Sequence, residues 1–222
     1  RRSDALITSL LVLDDVLADP EAVRAAALSL EFPALPFATN FPGRNSRTPL
    51  RIDRLDEAVS RVAGERVVEA PRTVHGHARL TLEADNGAGR CRVHVDPQGT
   101  WSGILYLTPD PLCRGGTEFY RHRRTGSDRA LVTREELPRY GLTRFEDIDR
   151  FILEPECTDP GAWEHLMTVP MRFNRLVLLR PWLWHTAGPG FGARPEEGRL
   201  VLLVFWTGEP SHPPQVVPFP PG

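Results

Sequence analysis

The feature that most constrains the fold is a succession of short apolar runs that fills the chain from Val67 onward. "TVHGHARLTLE" (73–83), "RCRVHV" (90–95), "SGILYLT" (102–108), "GTEFY" (116–120), "LMTV" (166–169), "RLVLLR" (175–180) and "RLVLLVFW" (199–206) follow one another between Gly-, Pro-, Asn- and Asp-containing breaks. Side chains alternate across a strand, so segments of this length and pattern read as half-buried strands. Many short strands with turn signals between them build a sandwich or a barrel, because each apolar face has to be covered by another sheet or a helix.

The first third reads differently. "ALITSLLVL" (5–13) predicts a strand. Asp19 and Pro20 then open a helix, with the aspartate as cap and the proline at the first helical position. Residues 32–50 carry prolines and a glycine and read as a loop whose 37–48 portion, with Arg44, Asn45 and Arg47, can act as a lid. In 53–63, Leu55, Val59 and Val62 fall at helical spacing, and Gly64 ends the helix. A helical insert is expected over 131–152, where Thr133/Glu136 and Thr143/Glu146 form two capping boxes. The tail 209–222 is proline-rich and extended. The expectation is one mainly β domain over 1–222: N-terminal helical support (1–66), then a jelly roll or barrel of about eight strands (67–208).

Composition narrows the function classes. An apolar fraction of 41% suits a sizeable core, and a net charge of −2 offers no broad basic surface for nucleic acid or an anionic membrane. The longest apolar runs, such as "LVLLVFW" (200–206), are too short to cross a bilayer. Asp4, Asp14 and Asp15 interrupt the apolar N-terminal stretch, which is not read as a signal peptide. Cys91, Cys113 and Cys157 are odd in number and far apart, which argues against a disulfide framework and for a reducing, cytoplasmic setting.

The chemistry gathers around "HVD". His94 and Asp96 lie two residues apart and so share a strand face: two metal ligands, an acid/base pair, or a turn stabilised by Asp-Pro-x-Gly. His185 ends a distant strand, "RLVLLRPWLWH", and Arg199 opens the next one. Two histidines and a carboxylate in this arrangement match a facial metal triad. Neutral imidazoles suit Fe(II), and three ligands on one face leave further positions open. An arginine nearby can hold a carboxylate in a bidentate fork.

Together these motifs resemble the Fe(II)/2-oxoglutarate-dependent dioxygenase superfamily, near its prolyl-hydroxylase-like branch and an uncharacterised bacterial subgroup. "HVD", "ILYLT", "GGTEFY", "NRLVLLRPWLWH" and "GRLVLLVFW" stand in the order of that superfamily's motifs. The resemblance covers about 90–206 and implies a double-stranded β-helix of the cupin type with N-terminal helices packed on it. It implies Fe(II) held by His94, Asp96 and His185, and 2-oxoglutarate held by Arg199 and Tyr106, with ascorbate as a stimulant. Arg194 is the competing arginine, nine positions after His185 where Arg199 is fourteen after. Arg199 is favoured because it opens a strand; Val201 occupies a place where many members have Ser or Thr. The implied reaction is hydroxylation of an unactivated C–H with dioxygen, on a small molecule, amino acid or peptidyl residue. Asp96 stands where related halogenases have Gly or Ala.

Substrate contacts are expected from His77 and Arg79, on one face of the 73–83 strand, and from Arg121 and His122 in the basic run "RHRRTGSDR" (121–129). Two other readings stay open: a cupin-type metalloenzyme that does not use 2-oxoglutarate, and a non-catalytic jelly-roll module binding a sugar or peptide.

Overall fold

A computed structural model of the protein describes residues 7–34, 40–89, 92–96, 98–130 and 134–208, apart from the Arg139 side chain. Along the chain its main elements are β1 (Leu10–Leu13), α1 (Pro20–Leu28), β2 (Arg44–Asn45), α2 (Leu55–Ala63), β3 (Val67–Glu69), β4 (Ala78–Thr81), β5 (Trp101–Tyr106), β6 (Gly116–His122), β7 (Trp163–Pro170), β8 (Leu176–Leu179), β9 (His185–Thr186) and β10 (Arg199–Gly208).

Alternation along β10 sets up the layers. Leu200, Leu202, Val204 and Trp206 project to one side, where they meet Ala27, Leu55 and Val59 of the two helices. Val201 and Leu203 project to the other, against Tyr106, Val177 and Phe119. Full burial of each such side chain contributes about 1.5–3 kcal/mol, so both faces of this strand are anchored. The main sheet runs β1-β8-β5-β10-β4-β2, with β3 also paired to β10, and all of its pairings are antiparallel. The second sheet is β7-β6-β9. Its Phe119 and Val169 share a core with Val177, Leu179 and Val201 of the first, so the two sheets enclose a common interior without closing into a continuous barrel.

The helices form for the reasons read from the sequence. The Asp19 carboxylate accepts from the Ala22 N–H at 3.0 Å, with Pro20 in the first turn. Gly64 ends α2 in the left-handed region at φ 70°. Leu55 and Val59 are buried, whereas Val62 is 45% exposed. At about 100° per residue, a step of three leaves Val62 about 60° off the direction of Val59. The N–H groups of Trp101 and Trp206 donate to Glu65 and Asp56 at 2.6 Å each, pinning the sheet to this helix and its C-terminal turn.

Several expected elements came out shorter. The 5–13 strand is regular only over Leu10–Leu13, and residues 1–6 lie outside the described residues. The 73–83 strand is confined to Ala78–Thr81, because Gly76 turns the backbone at φ 76° just before it. No regular strand forms over 92–96; the segment is held by individual bonds, and Arg90 and Cys91 lie outside the described residues. From residue 134 the helical insert breaks into turns: Leu137–Tyr140, Glu146–Ile148, a wider π turn at Asp149–Leu153, and Glu154–Glu156. Asp147, not Glu146, caps it, accepting from Thr143 N–H and Arg144 N–H at 2.9 Å each. Thr133 and the tail 209–222 lie outside the described residues. The Gly115–Gly116 pair is scaffold. Gly115 has φ 63°, and a Cβ on Gly116 would lie 1.9 Å from the Val169 carbonyl oxygen, so only glycine lets β6 start against β7. The bulge in β6 falls later, between Phe119 and Tyr120. No described helix is long and apolar enough to cross a membrane.

Candidate metal centre

His185 reaches the centre through β9, which pairs with β6 so that His185 stands opposite Phe119. Residues 92–96 are bonded alongside. The His94 N–H donates to the His185 carbonyl at 2.9 Å and the His185 N–H to the His94 carbonyl at 3.0 Å. The Asp96 N–H donates to the Pro181 carbonyl at 2.9 Å. These bonds fix two segments 91 residues apart, side by side.

The side chains then converge. His94 Nε2 lies 3.8 Å from Asp96 Oδ1, and His185 Nε2 lies 3.6 Å from Asp96 Oδ2. One ligand atom from each of the three falls within 4.8 Å of the others. The opposite ring nitrogens are turned to backbone carbonyls: His94 Nδ1 to Arg92 O at 3.2 Å and His185 Nδ1 to Leu183 O at 2.8 Å. A proton on each Nδ1 makes that bond and leaves both Nε2 lone pairs facing Asp96, the outer-shell arrangement that orients metal-binding histidines. Burial, and then the neighbouring His185, lower the His94 pKa to about 4, so the imidazole is neutral at physiological pH. Bonds of about 2.0–2.2 Å from one ion to nitrogen and oxygen ligands place such atoms roughly 3–4 Å apart, so these residues fit a metal with little movement.

The three side chains border a cleft of about 1000 Å³. Its floor is the inner face of the main sheet, including Ser102, Ile104, Leu203 and Phe205. Phe41, in the loop before β2, covers one side of His94 with ring centroids 4.1 Å apart. Of the expected lid, Asn40, Phe41, Pro42 and Asn45 border the cleft, while residues 37–39 lie outside the described residues.

Arg199 lies on the same inner face, 2% exposed, with Nε and Nη2 buried and without hydrogen-bond partners. Burial lowers its pKa. Its guanidinium carbon is 5.9 Å from the centre of the Tyr106 ring, and the Tyr106 hydroxyl bonds the Thr117 hydroxyl at 2.7 Å. Thr117 borders the cleft and so links this polar nook to the metal centre. Arg194 is placed elsewhere: it is exposed and bonded to Glu197 at 3.2 Å from Nε. The strand start aims Arg199 inward, whereas Arg194 precedes a helical turn at Pro195–Glu197.

The expected substrate residues separate. Arg79 borders the cleft, but its guanidinium is bonded to the Phe41 and Pro42 carbonyls and to Asn45. His77 precedes β4, turns to the Ser46 carbonyl at 2.8 Å, and is not among the cleft-lining residues. Arg121 pairs at the surface with Glu164 at 3.5 Å. His122 is fully buried against Trp163 and Trp184, with its ring nitrogens bonded to Thr125 and Glu156. The basic run is thus largely matched by acids of the insert and β7, and Arg121 and His122 do not meet the cleft. Sequence reasoning missed Glu118, which borders the cleft opposite Thr186 and accepts from the Tyr120 hydroxyl. It also missed Ser102, whose buried hydroxyl on the cleft floor has no partner. Only the register with β9 and β10 reveals either one.

A family model described as "Family of unknown function (DUF6445)" matches residues 4–206. No curated protein matches the chain. Among solved structures it is similar to the non-heme alpha-ketoglutarate-dependent carbocyclase SnoK from nogalamycin biosynthesis, with TM-score 0.51 and 14% identity over 90% of this chain and 79% of that one. The epimerase SnoN of the same biosynthesis scores 0.49 at 14% identity, covering 96% of this chain and 88% of that one. HygX from Streptomyces hygroscopicus, with nickel and 2-oxoglutarate bound, scores 0.48 at 13% identity over 90% and 83%. The SnoK likeness is one of fold, and it agrees with the two-sheet jelly-roll architecture.

Proposed function

The chain belongs to the DUF6445 family, a family of unknown function, and we propose that it is an Fe(II)- and 2-oxoglutarate-dependent oxygenase acting through His94, Asp96 and His185. The observation that carries this reading is the pairing of that triad with a buried arginine on the same inner sheet face whose Nε and Nη2 have no hydrogen-bond partner. A guanidinium taken out of water without a counter-charge is costly, so its natural complement is an anion. The similarity of fold to SnoK, a non-heme alpha-ketoglutarate-dependent carbocyclase, is in keeping with it.

Each residue has a definite task in this reading. His94, Asp96 and His185 hold the metal on one face, with the imidazole protons kept on Nδ1 by the Arg92 and Leu183 carbonyls. Arg199 receives the far carboxylate of 2-oxoglutarate, and the Tyr106–Thr117 hydroxyl pair lines its approach. Arg194, ion-paired in solvent, is left out of the site. Bound iron and 2-oxoglutarate supply oxidation of an unactivated C–H with dioxygen, giving succinate and CO2 as co-products. The apolar cleft walls exclude water around the reacting carbon, and Ser102 and Glu118 offer the substrate polar contacts. Hydroxylation of a small molecule or peptidyl residue is the reaction we assign, with the N-terminal helices and β core acting as one oxygenase domain. The narrower resemblance to the prolyl-hydroxylase-like branch rests on the motif order alone.

Purified protein supplied with Fe(II), ascorbate and 2-oxoglutarate is expected to form succinate, and His94→Ala to abolish it. Equal succinate formation by wild type and His94→Ala, or none from either, would sink the reading.

A further inference from the structure

Two neighbouring arginines on one sheet face need a common explanation. In the β4–β10 register Arg79 stands opposite Val201, and Arg199 stands opposite Thr81. Alternation puts both guanidinium groups on the inner side of the main sheet. Among the described residues, the bonds of Arg79 run to neutral oxygens, and Nε and Nη2 of Arg199 make none. Burial, and after it the charge of Arg199, bring the Arg79 pKa down to about 10, against a smaller opposing effect of Asp85.

Arg79 also gathers the segment that closes the cleft. Its Nε donates to the Pro42 carbonyl at 3.1 Å, Nη1 to Asn45 Oδ1 at 2.7 Å, and Nη2 to the Phe41 carbonyl at 2.8 Å and to the Pro42 carbonyl. Phe41 is the residue whose ring rests on His94. One side chain therefore joins the neighbourhood of Arg199 to the strap that shields the metal centre.

We propose that Arg79 is a positioning residue that couples occupancy of the Arg199 nook by a dicarboxylate to the seating of residues 40–45 against His94. The inference rests on the assignment of Arg199 given above. Neither guanidinium is bonded to a carboxylate among the described residues, so a carboxylate at Arg199 adds negative charge beside both and weakens the repulsion that favours Arg79 swinging outward. With it weakened, the planar fork of Arg79 holds the three strap residues, and Phe41 packs on His94. Coupling of this kind is reciprocal: the seated strap tightens dicarboxylate binding by the factor by which the dicarboxylate favours seating. Lysine at position 79 keeps the charge but has no fork with which to hold several fixed oxygens.

Hydrogen exchange of the full chain, loaded anaerobically with Fe(II), tests this with and without 2-oxoglutarate, with affinity measured in parallel by calorimetry. In wild type, 2-oxoglutarate is expected to slow exchange over 40–46 about tenfold, within the usual range of coupling between two sites. In Arg79→Lys, 2-oxoglutarate should bind about tenfold more weakly, the same factor as the lost protection, and leave 40–46 unprotected, with exchange in β5 and β10 unchanged. In Arg79→Met both the protection and about tenfold in affinity should go. Binding without protection in wild type, or equal protection in Arg79→Lys, overturns the coupling and leaves the Arg199 assignment standing. No 2-oxoglutarate binding at all overturns both.

Discussion

Among the described residues two histidine–carboxylate clusters contrast, one closed on itself and one open to a cleft. Around His122, Glu156 bonds one ring nitrogen and Thr125 the other, while Trp163 and Trp184 cover the ring. Arg124 completes the neutralisation of Glu156 at 3.0 Å. Around Asp96, the carboxylate faces two Nε2 atoms at 3.6 and 3.8 Å, and both Nδ1 atoms are occupied by backbone carbonyls. The first cluster is closed, with each histidine nitrogen used by the protein. The second keeps one nitrogen of each ring pointed into a cleft. A histidine beside an acid is therefore informative only with the account of its second nitrogen.

The largest effect that sharpens this contrast is expected from His185→Ala. Loss of an outer partner of a metal ligand already costs about 10- to 100-fold in affinity. Loss of the ligand itself should exceed that in an Fe(II) or Zn(II) titration, while thermal stability of the metal-free protein changes little. Next comes Arg199→Met. Removing one member of a buried charge pair costs about 2–5 kcal/mol, so 2-oxoglutarate affinity by calorimetry should fall roughly 30-fold or more. Without 2-oxoglutarate the same variant should melt higher than wild type, since a buried guanidinium with two unsatisfied nitrogens is gone.

A smaller, purely structural effect is expected in the closed cluster. Glu156→Gln should lower unfolding stability by about 1–3 kcal/mol in urea and leave metal stoichiometry unchanged. Burial acts to raise the pKa of Glu156, but bonds from His122 and Arg124 outweigh it and hold the carboxyl below its usual value. A carboxyl lowered by folding stabilises above its unfolded value, about 4.3, and that contribution fades as pH falls through the lowered one. Wild type should therefore lose its advantage over Glu156→Gln below about pH 4. The smallest effect is expected from Arg121→Ala. Its pair with Glu164 is 43% exposed on both sides, so stability should shift by about 1 kcal/mol or less, with activity unchanged.

Most of the fold was legible because it rests on local signals. The caps at Asp19 and Gly64, the alternation in β5, β6, β8 and β10, and the break at the paired glycines are all properties of neighbouring residues. The convergence of His94, Asp96 and His185 could be anticipated because each ends or flanks an apolar run in the sequence. What stayed hidden depends on register or on side-chain partners. "RCRVHV" alternates like a strand, yet among its described residues the bridge to His185 is an isolated one at His94, while Val93 bonds Cys157 instead, so these residues build no ladder. His77 looked like a companion of Arg79, but it stands just before β4 begins and its ring is held by the Ser46 carbonyl. The basic run looked like an anion site, but Glu156, Glu164 and Glu136 come from segments that sequence distance conceals. Glu118 enters the cleft only through its place opposite Thr186.

The most direct test is an anaerobic calorimetric titration of 2-oxoglutarate into wild type and Asp96→Ala, each with and without Fe(II). The account predicts one iron per wild-type chain, 2-oxoglutarate binding that strengthens when iron is present, and loss of both in Asp96→Ala. Iron retained at full stoichiometry by Asp96→Ala, or 2-oxoglutarate binding indifferent to iron, would contradict it.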